Sequence, residues 1–177
     1  MEITPEDQKQ QEYYRDARTG GYYGEIWKNV GKCVFCDMRD KYIFFEENGV
    51  VMTVKLYAYI DGDLMIIPRR HVRSVKELTP AEWETMRKMM YIAKKLVRMV
   101  HGIKGMQIIQ KDGIQAQSTV EHLHFQCMPF DSPDFSVWNY RDLKNTPLQN
   151  ANLYKQQAKA IADLEKKFED KYQDGSV

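Results

Sequence analysis

Residues 121–128 read Glu-His-Leu-His-Phe-Gln-Cys-Met. Side chains alternate faces along a strand, so this stretch sends His122, His124 and Gln126 one way and Leu123, Phe125 and Cys127 the other. The second face is apolar enough to seat in a core. The first then offers three nitrogen-bearing side chains from a rigid support. Four further runs upstream have strand character: YIFFEE (42–47), VVMTVKLY (50–57), DLMIIP (63–68) and MQIIQ (106–110), all rich in β-branched or aromatic residues.

Between the third and fourth of these lies LTPAEWETMRKMMYIAKKLVRMVHG (78–102), which reads as a helix. Thr79 can cap its start, Pro80 suits the first helical position, Glu82 completes a capping box and Gly102 falls just past the end. Trp83, Met86, Met90, Ala93, Leu96, Val97 and Val100 recur at helical spacing and predict a core-facing stripe. Strands grouped around one central helix, without regular strand–helix alternation, predict an α+β fold with an antiparallel five-stranded sheet rather than a doubly wound parallel one.

The ends differ in character. Residues 1–30 are polar and tyrosine-rich, with a helix expected over Pro5 to Ala17 and then Gly20, Gly21 and Gly24 interrupting any pattern. They read as an N-terminal extension to a domain spanning 31–140. Beyond it, 141–177 reads as a charged helical tail with a thin apolar seam of Leu153, Ala158, Ile161, Leu164 and Phe168. A chain of 177 residues is too short for two well-filled cores. The 26 Lys plus Arg against 25 Asp plus Glu leave a formal charge of +1, which excludes nucleic-acid or membrane binding driven by bulk electrostatics. No apolar run approaches the roughly 18 residues of a membrane span, and the acidic start resembles no secretory signal. A cytoplasmic location is expected.

Only three cysteines and four histidines occur. Cys33 and Cys36 form CVFC, whose spacing lets both thiolates reach one zinc, with His71 and one strand histidine completing a tetrahedral set. A redox reading of CVFC needs it at a helix start after a strand, a pattern the neighbourhood lacks. Cys127 reads as a small buried hydrophobe, and His101 as a favourable partner for a helix C-terminus.

HLHFQ, the segment YAYIDGDLMIIPRRHV, the CVFC motif and the turn KDGIQAQSTV occur here in the order found in the histidine triad superfamily of nucleotide hydrolases and transferases, which this chain resembles over about Lys32 to Pro129. The resemblance implies a structural zinc on Cys33, Cys36, His71 and His122, a nucleophile at His124, and a homodimer. Gln126 stands where most members carry a third histidine. In this it resembles the branch of galactose-1-phosphate uridylyltransferases and diadenosine tetraphosphate phosphorylases. Lys55, Ile60 and Asp63 depart from the asparagine, asparagine and histidine common there; Lys55 falls where the ribose is usually gripped, and Lys111 replaces a usual asparagine.

These residues imply a division of labour. His124 attacks an α-phosphorus to give a nucleotidyl-histidine, and a zinc-held His122 fixes the register of its neighbour. Gln126 can hydrogen-bond a phosphate oxygen but cannot supply a proton near neutral pH. Departing groups that are already stable anions are therefore favoured, and transfer to phosphate or a phosphorylated acceptor is favoured over hydrolysis. Lys55, Lys111, Ser118, Thr119 and the backbone amides near Gly113 are the expected substrate contacts, with Arg69 and Arg70 either guiding anions or simply solvated. The expectation is a nucleotidyl transferase or phosphorylase; a nucleotide hydrolase and a zinc-stabilised nucleotide-binding module without turnover are the alternatives.

Overall fold

The computed structural model describes residues 4–20, 25, 31–116, 118–130, 152, 156, 158 and 159. By internal packing the chain divides into two compact units, Met1–Pro133 and Asp134–Val177. Of the seam expected in the tail, only Ala158 falls within the described residues.

All five runs form strands: β1 (Ile43–Glu47), β2 (Val50–Val54), β3 (Leu64–Pro68), β4 (Gly105–Gln110) and β5 (Phe125–Phe130), in one antiparallel sheet ordered β1-β2-β3-β5-β4. β1 and β2 close a hairpin through Asn48 and Gly49, at φ 47° and 71°. Positive φ at both central residues is the geometry whose twist matches the flanking strands, and Asn-Gly is the pair that adopts it at least cost. The histidine pair stands just ahead of β5, not within it, since ladder pairing begins at Phe125. Alternation nonetheless holds: Leu123, Phe125 and Cys127 all enter the main core.

Two helices complete the unit, α1 (Pro5–Thr19) and α2 (Pro80–His101). In α1, Thr4 and Asp7 cap reciprocally, the Asp7 amide donating to the Thr4 hydroxyl at 3.2 Å and the Thr4 amide to the Asp7 carboxylate at 3.0 Å. In α2 the Glu82 amide donates to the Thr79 hydroxyl at 3.2 Å and the Thr79 amide to the Glu82 carboxylate at 2.8 Å, while Gly102 ends the helix in the left-handed region at φ 73°.

The buried face of α2 is rotated from the expected stripe. Glu82, Thr85, Met86, Met89, Ala93 and Val97 are buried, whereas Trp83 is 44% and Val100 71% exposed. The polar members turn inward because their bonds are met: Arg70 donates to Glu82 at 2.9 Å, and Asn48 donates to the Thr85 hydroxyl at 3.0 Å. Trp83 is left at the rim, its ring 6.2 Å from that of Phe125.

α2 packs across β2, β3, β4 and β5. On that face Val50, Met52, Leu64, Ile66, Leu123, Phe125 and Cys127 meet Met86, Met89, Ala93 and Val97. Their alternating neighbours Val51, Met65 and Ile67 face the other way, against Phe35, Met38 and Ile43. Gln126 pairs with Met65 across the β3–β5 ladder and shares this second face. The sheet thus separates a core on the α2 side from a face covered by the loop carrying CVFC. Among the described residues, no helix is long and apolar enough to cross a membrane.

Candidate active site and metal centre

Cys33, Cys36, His71 and His122 come together on this second face, their ligand atoms all within 4.8 Å of one another. The Cys33 sulfur lies 3.4 Å and the Cys36 sulfur 3.6 Å from His122 Nδ1, and the Cys36 sulfur lies 3.3 Å from His71 Nδ1. A tetrahedral zinc with bonds of about 2.3 Å to sulfur and about 2.05 Å to nitrogen has a sulfur–nitrogen edge of about 3.6 Å. Two sulfurs and two imidazoles at these separations fit such an ion. His122 is fully buried, and its Nε2 lies 2.8 Å from the Pro68 carbonyl. A carbonyl only accepts, so Nε2 carries the proton and Nδ1 keeps its lone pair for the cluster.

His124 has the opposite tautomer. Its Nδ1 lies 2.9 Å from the His122 carbonyl, so Nδ1 is protonated and Nε2 holds the lone pair. The ring is 8% exposed and lines a cavity of about 370 Å³, within the range of small-molecule sites. Burial pulls the His124 pKa below its ordinary value. The hydrogen bond to the His122 carbonyl opposes this, but nearby His122, Lys55 and Lys111 add to it, so the imidazole is neutral at neutral pH. Phe35, between the two cysteines, wedges against both histidines, edge-on at 5.9 Å from the His122 ring and 4.8 Å from the His124 ring.

Gln126, Lys55, Lys111, Ser118 and Thr119 line the same cavity. The Lys55 ammonium lies 3.1 Å from both the Asp63 carboxylate and the Gln126 amide oxygen, with the Asp63 side chain fully buried. The Ser118 hydroxyl donates to the Val120 carbonyl at 3.1 Å, and the Ala116 and Ser118 amides both donate to the Gly113 carbonyl. Arg69 and Arg70 are not among the lining residues. Arg69 pairs with Glu46 at 2.7 Å and Arg70 with Glu82 at 2.9 Å, so their guanidinium groups hold the scaffold.

Phe35, Tyr13 and Tyr14 had no role assigned from the sequence. Tyr13 and Tyr14 of α1 line the cavity, with Tyr14 edge-on to Tyr57 at 5.2 Å and Ala17 fully buried, so the N-terminal helix helps to form the site. Clustered tyrosines in a polar helix were the available signal. Cys127 is buried, and burial pushes its thiol up to about 12, which makes it inert.

A family model described as HIT domain matches residues 38–132, more than half of the chain. The bis(5'-nucleosyl)-tetraphosphatase (asymmetrical) of Schizosaccharomyces pombe is 27% identical over 114 residues, which span 63% of this chain and 63% of that enzyme's length. A HIT family protein of Bacillus subtilis superposes with a TM-score of 0.62 at 20% identity, covering 72% of this chain and 96% of its own. A zinc-bound histidine triad family protein of Mycobacterium smegmatis superposes with a TM-score of 0.53 at 19% identity, covering 75% and 97%. The antiparallel sheet, the long helix and the matched residues agree: this chain belongs to the HIT domain family.

Proposed function

We propose that the protein is a nucleotidyl transferase or phosphorylase acting on a nucleoside polyphosphate or nucleotide sugar. The observation that carries this reading is the His124 ring, neutral, protonated on Nδ1 and bordering a nucleotide-scale cavity beside Gln126. The His124 Nε2 lone pair attacks the α-phosphorus; a P–N bond forms and the bond to the departing phosphate oxygen breaks. Charge developing on the imidazole is met by the His122 carbonyl, which already accepts from Nδ1. An acceptor oxygen then attacks the phosphorus, the P–N bond breaks and the neutral imidazole returns.

Gln126 binds a phosphate oxygen and supplies no proton, so the departing group leaves as an anion and water receives little help in the second step. Lys111 and Thr119, with Lys55 and Ser118 beside them, border the place where phosphate charge would rest. His122 acts through its carbonyl and through the register it gives His124. Hydrolysis is the second reading. It is favoured by the tetraphosphatase named above, a relative 27% identical over 114 residues and named for hydrolysis.

Cys33, Cys36, His71 and His122 would hold zinc as a closed structural site, and through them the CVFC loop would be fastened to the segment ahead of β5. The zinc-bound relative of the same fold supports this choice of metal. Thiols that must stay reduced to bind it fit a cytoplasmic location. The reading keeps 31–140 as the catalytic domain, 1–30 as an extension lending Tyr13 and Tyr14, and 141–177 as a tail. A homodimer is part of it, supported by β4, which ends the sheet with Ile108 exposed.

The test is trapping. Protein incubated with labelled dinucleoside polyphosphate and quenched in base should yield an acid-labile nucleotidyl adduct on His124, absent from His124→Gly. Acceptor competition should then favour phosphate or sugar phosphate over water. An adduct surviving in His124→Gly removes the residue assignment, and water as the preferred acceptor moves the protein to the hydrolases.

A further inference from the structure

Lys55 stands where the chain leaves β2, and the loop it opens returns to β3 through Asp63. The Lys55 amide donates to the Asp63 carbonyl at 3.0 Å, and the Tyr59 amide donates to the Asp63 carboxylate at 3.3 Å. The Lys55 ammonium lies 4.7 Å over the Tyr59 ring and is only 11% exposed at its side chain. The loop therefore encloses an ion pair largely out of water, where removing one partner would leave the other charge buried and uncompensated.

The same ammonium reaches across to the Gln126 amide at 3.1 Å. An ammonium has donors only, so the amide must present its oxygen to Lys55. The NH₂ group lies in the same rigid plane, across the amide carbon from that oxygen. With the amide reversed, two donors would face each other and a half-buried carboxamide oxygen would lose its partner. Gln126 lines the cavity with His124, so its orientation determines whether a ligand meets a donor or an acceptor.

We infer that Lys55 and Asp63 are positioning residues: Asp63 holds the Lys55 ammonium, which fixes the Gln126 amide so that its NH₂ meets a phosphate oxygen of the substrate. Lys55 thus acts through Gln126 rather than as a counter-ion, its charge already balanced by Asp63. This rests on the reading that the cavity takes a phosphorylated ligand.

Inorganic pyrophosphate is the probe. Its affinity should fall roughly tenfold in Gln126→Met, the loss of one hydrogen bond to a charged group, and by a similar factor in Lys55→Met/Asp63→Leu, where both charges go together and no lone carboxylate stays buried. The triple variant should bind no more weakly than Gln126→Met, because residues acting as one unit do not add. Lys55→Arg, which keeps the donors, should retain most of the affinity. In the wild type, pyrophosphate should shift the Gln126 side-chain NH₂ resonances, assigned by their loss in Gln126→Met.

Losses that multiply to about a hundredfold in the triple variant would show Lys55 meeting the anion itself and would overturn the inference. So would unshifted Gln126 resonances, or a wild-type protein that does not bind pyrophosphate. Pyrophosphate binding in the expected pattern with no adduct on His124 would remove the transferase reading and leave the positioning role standing.

Discussion

His122 and His124 are the same residue type, two positions apart and both buried, yet their rings present opposite tautomers. His122 donates from Nε2 to Pro68 and turns Nδ1 toward two sulfurs. His124 donates from Nδ1 to the His122 carbonyl and keeps Nε2 for the cavity. The difference lies in which carbonyl each ring meets, and so in which nitrogen keeps its lone pair. One histidine turns its lone pair to the cysteine cluster while its neighbour turns its own to the cavity, and the first supplies the carbonyl that orients the second.

The comparison is tested most severely by removing its reactive half. His124→Gly should lower nucleotidyl transfer by about 10³-fold or more, with the metal content unchanged. If the variant keeps turnover, the two rings are not divided as described.

Removing the other half should affect folding before chemistry. Purified protein should carry one zinc per chain, and Cys33→Ser should lose it together with several kcal/mol of stability, because binding free energy at a structural site is folding free energy. Metal analysis paired with thermal melts, with and without chelator, checks this. A melt indifferent to metal loss would leave the His122 cluster as contacts without a structural role.

A third change sharpens the contrast by acting on the opposite face of the sheet. Met89→Ala, in the α2 core, should cost about 2–5 kcal/mol in denaturant melts while leaving KM for nucleotide near the wild-type value. A large KM change would mean that the sheet does not insulate the site from the α2 core.

The smallest effect concerns the start of α2. Burial raises the Glu82 carboxyl, but hydrogen bonds from Arg70 and the Thr79 amide outweigh it and hold the folded pKa below the ordinary glutamate value. A depressed folded pKa contributes stability that is present above the unfolded value of about 4.3 and is lost as pH falls through the folded one. Glu82→Gln should flatten this part of the acid limb and cost about 1 kcal/mol near neutral pH, read from urea midpoints across pH. A steepened acid limb would show that another carboxylate governs it.

Local pattern sufficed for much of this protein. Five short runs of β-formers, the Thr79–Pro80–Glu82 start and the Gly102 stop depend on near neighbours in sequence, and each appears where its residues place it. The grouping of Cys33, Cys36, His71 and His122 was legible for a related reason, since cysteine and histidine are scarce here and their chemistry narrow. Side-chain alternation also placed Leu123, Phe125 and Cys127 in the core before the ladder that seats them was known.

What the sequence by itself determined, then, was the inventory of elements and which few residues carry metal-ligating or nucleophilic side chains. Only the tertiary structure decided the rest: the rotation of α2 that buries Glu82 and exposes Trp83, the α1 tyrosines at the cavity, Phe35 between the histidines, and the clasp of Lys55, Asp63 and Gln126. Periodicity reports a residue's preference for burial, a property of its own side chain. A tautomer, an ion pair or a cavity wall depends on partners tens of residues away, and becomes definite only when the sheet brings them within a few ångströms.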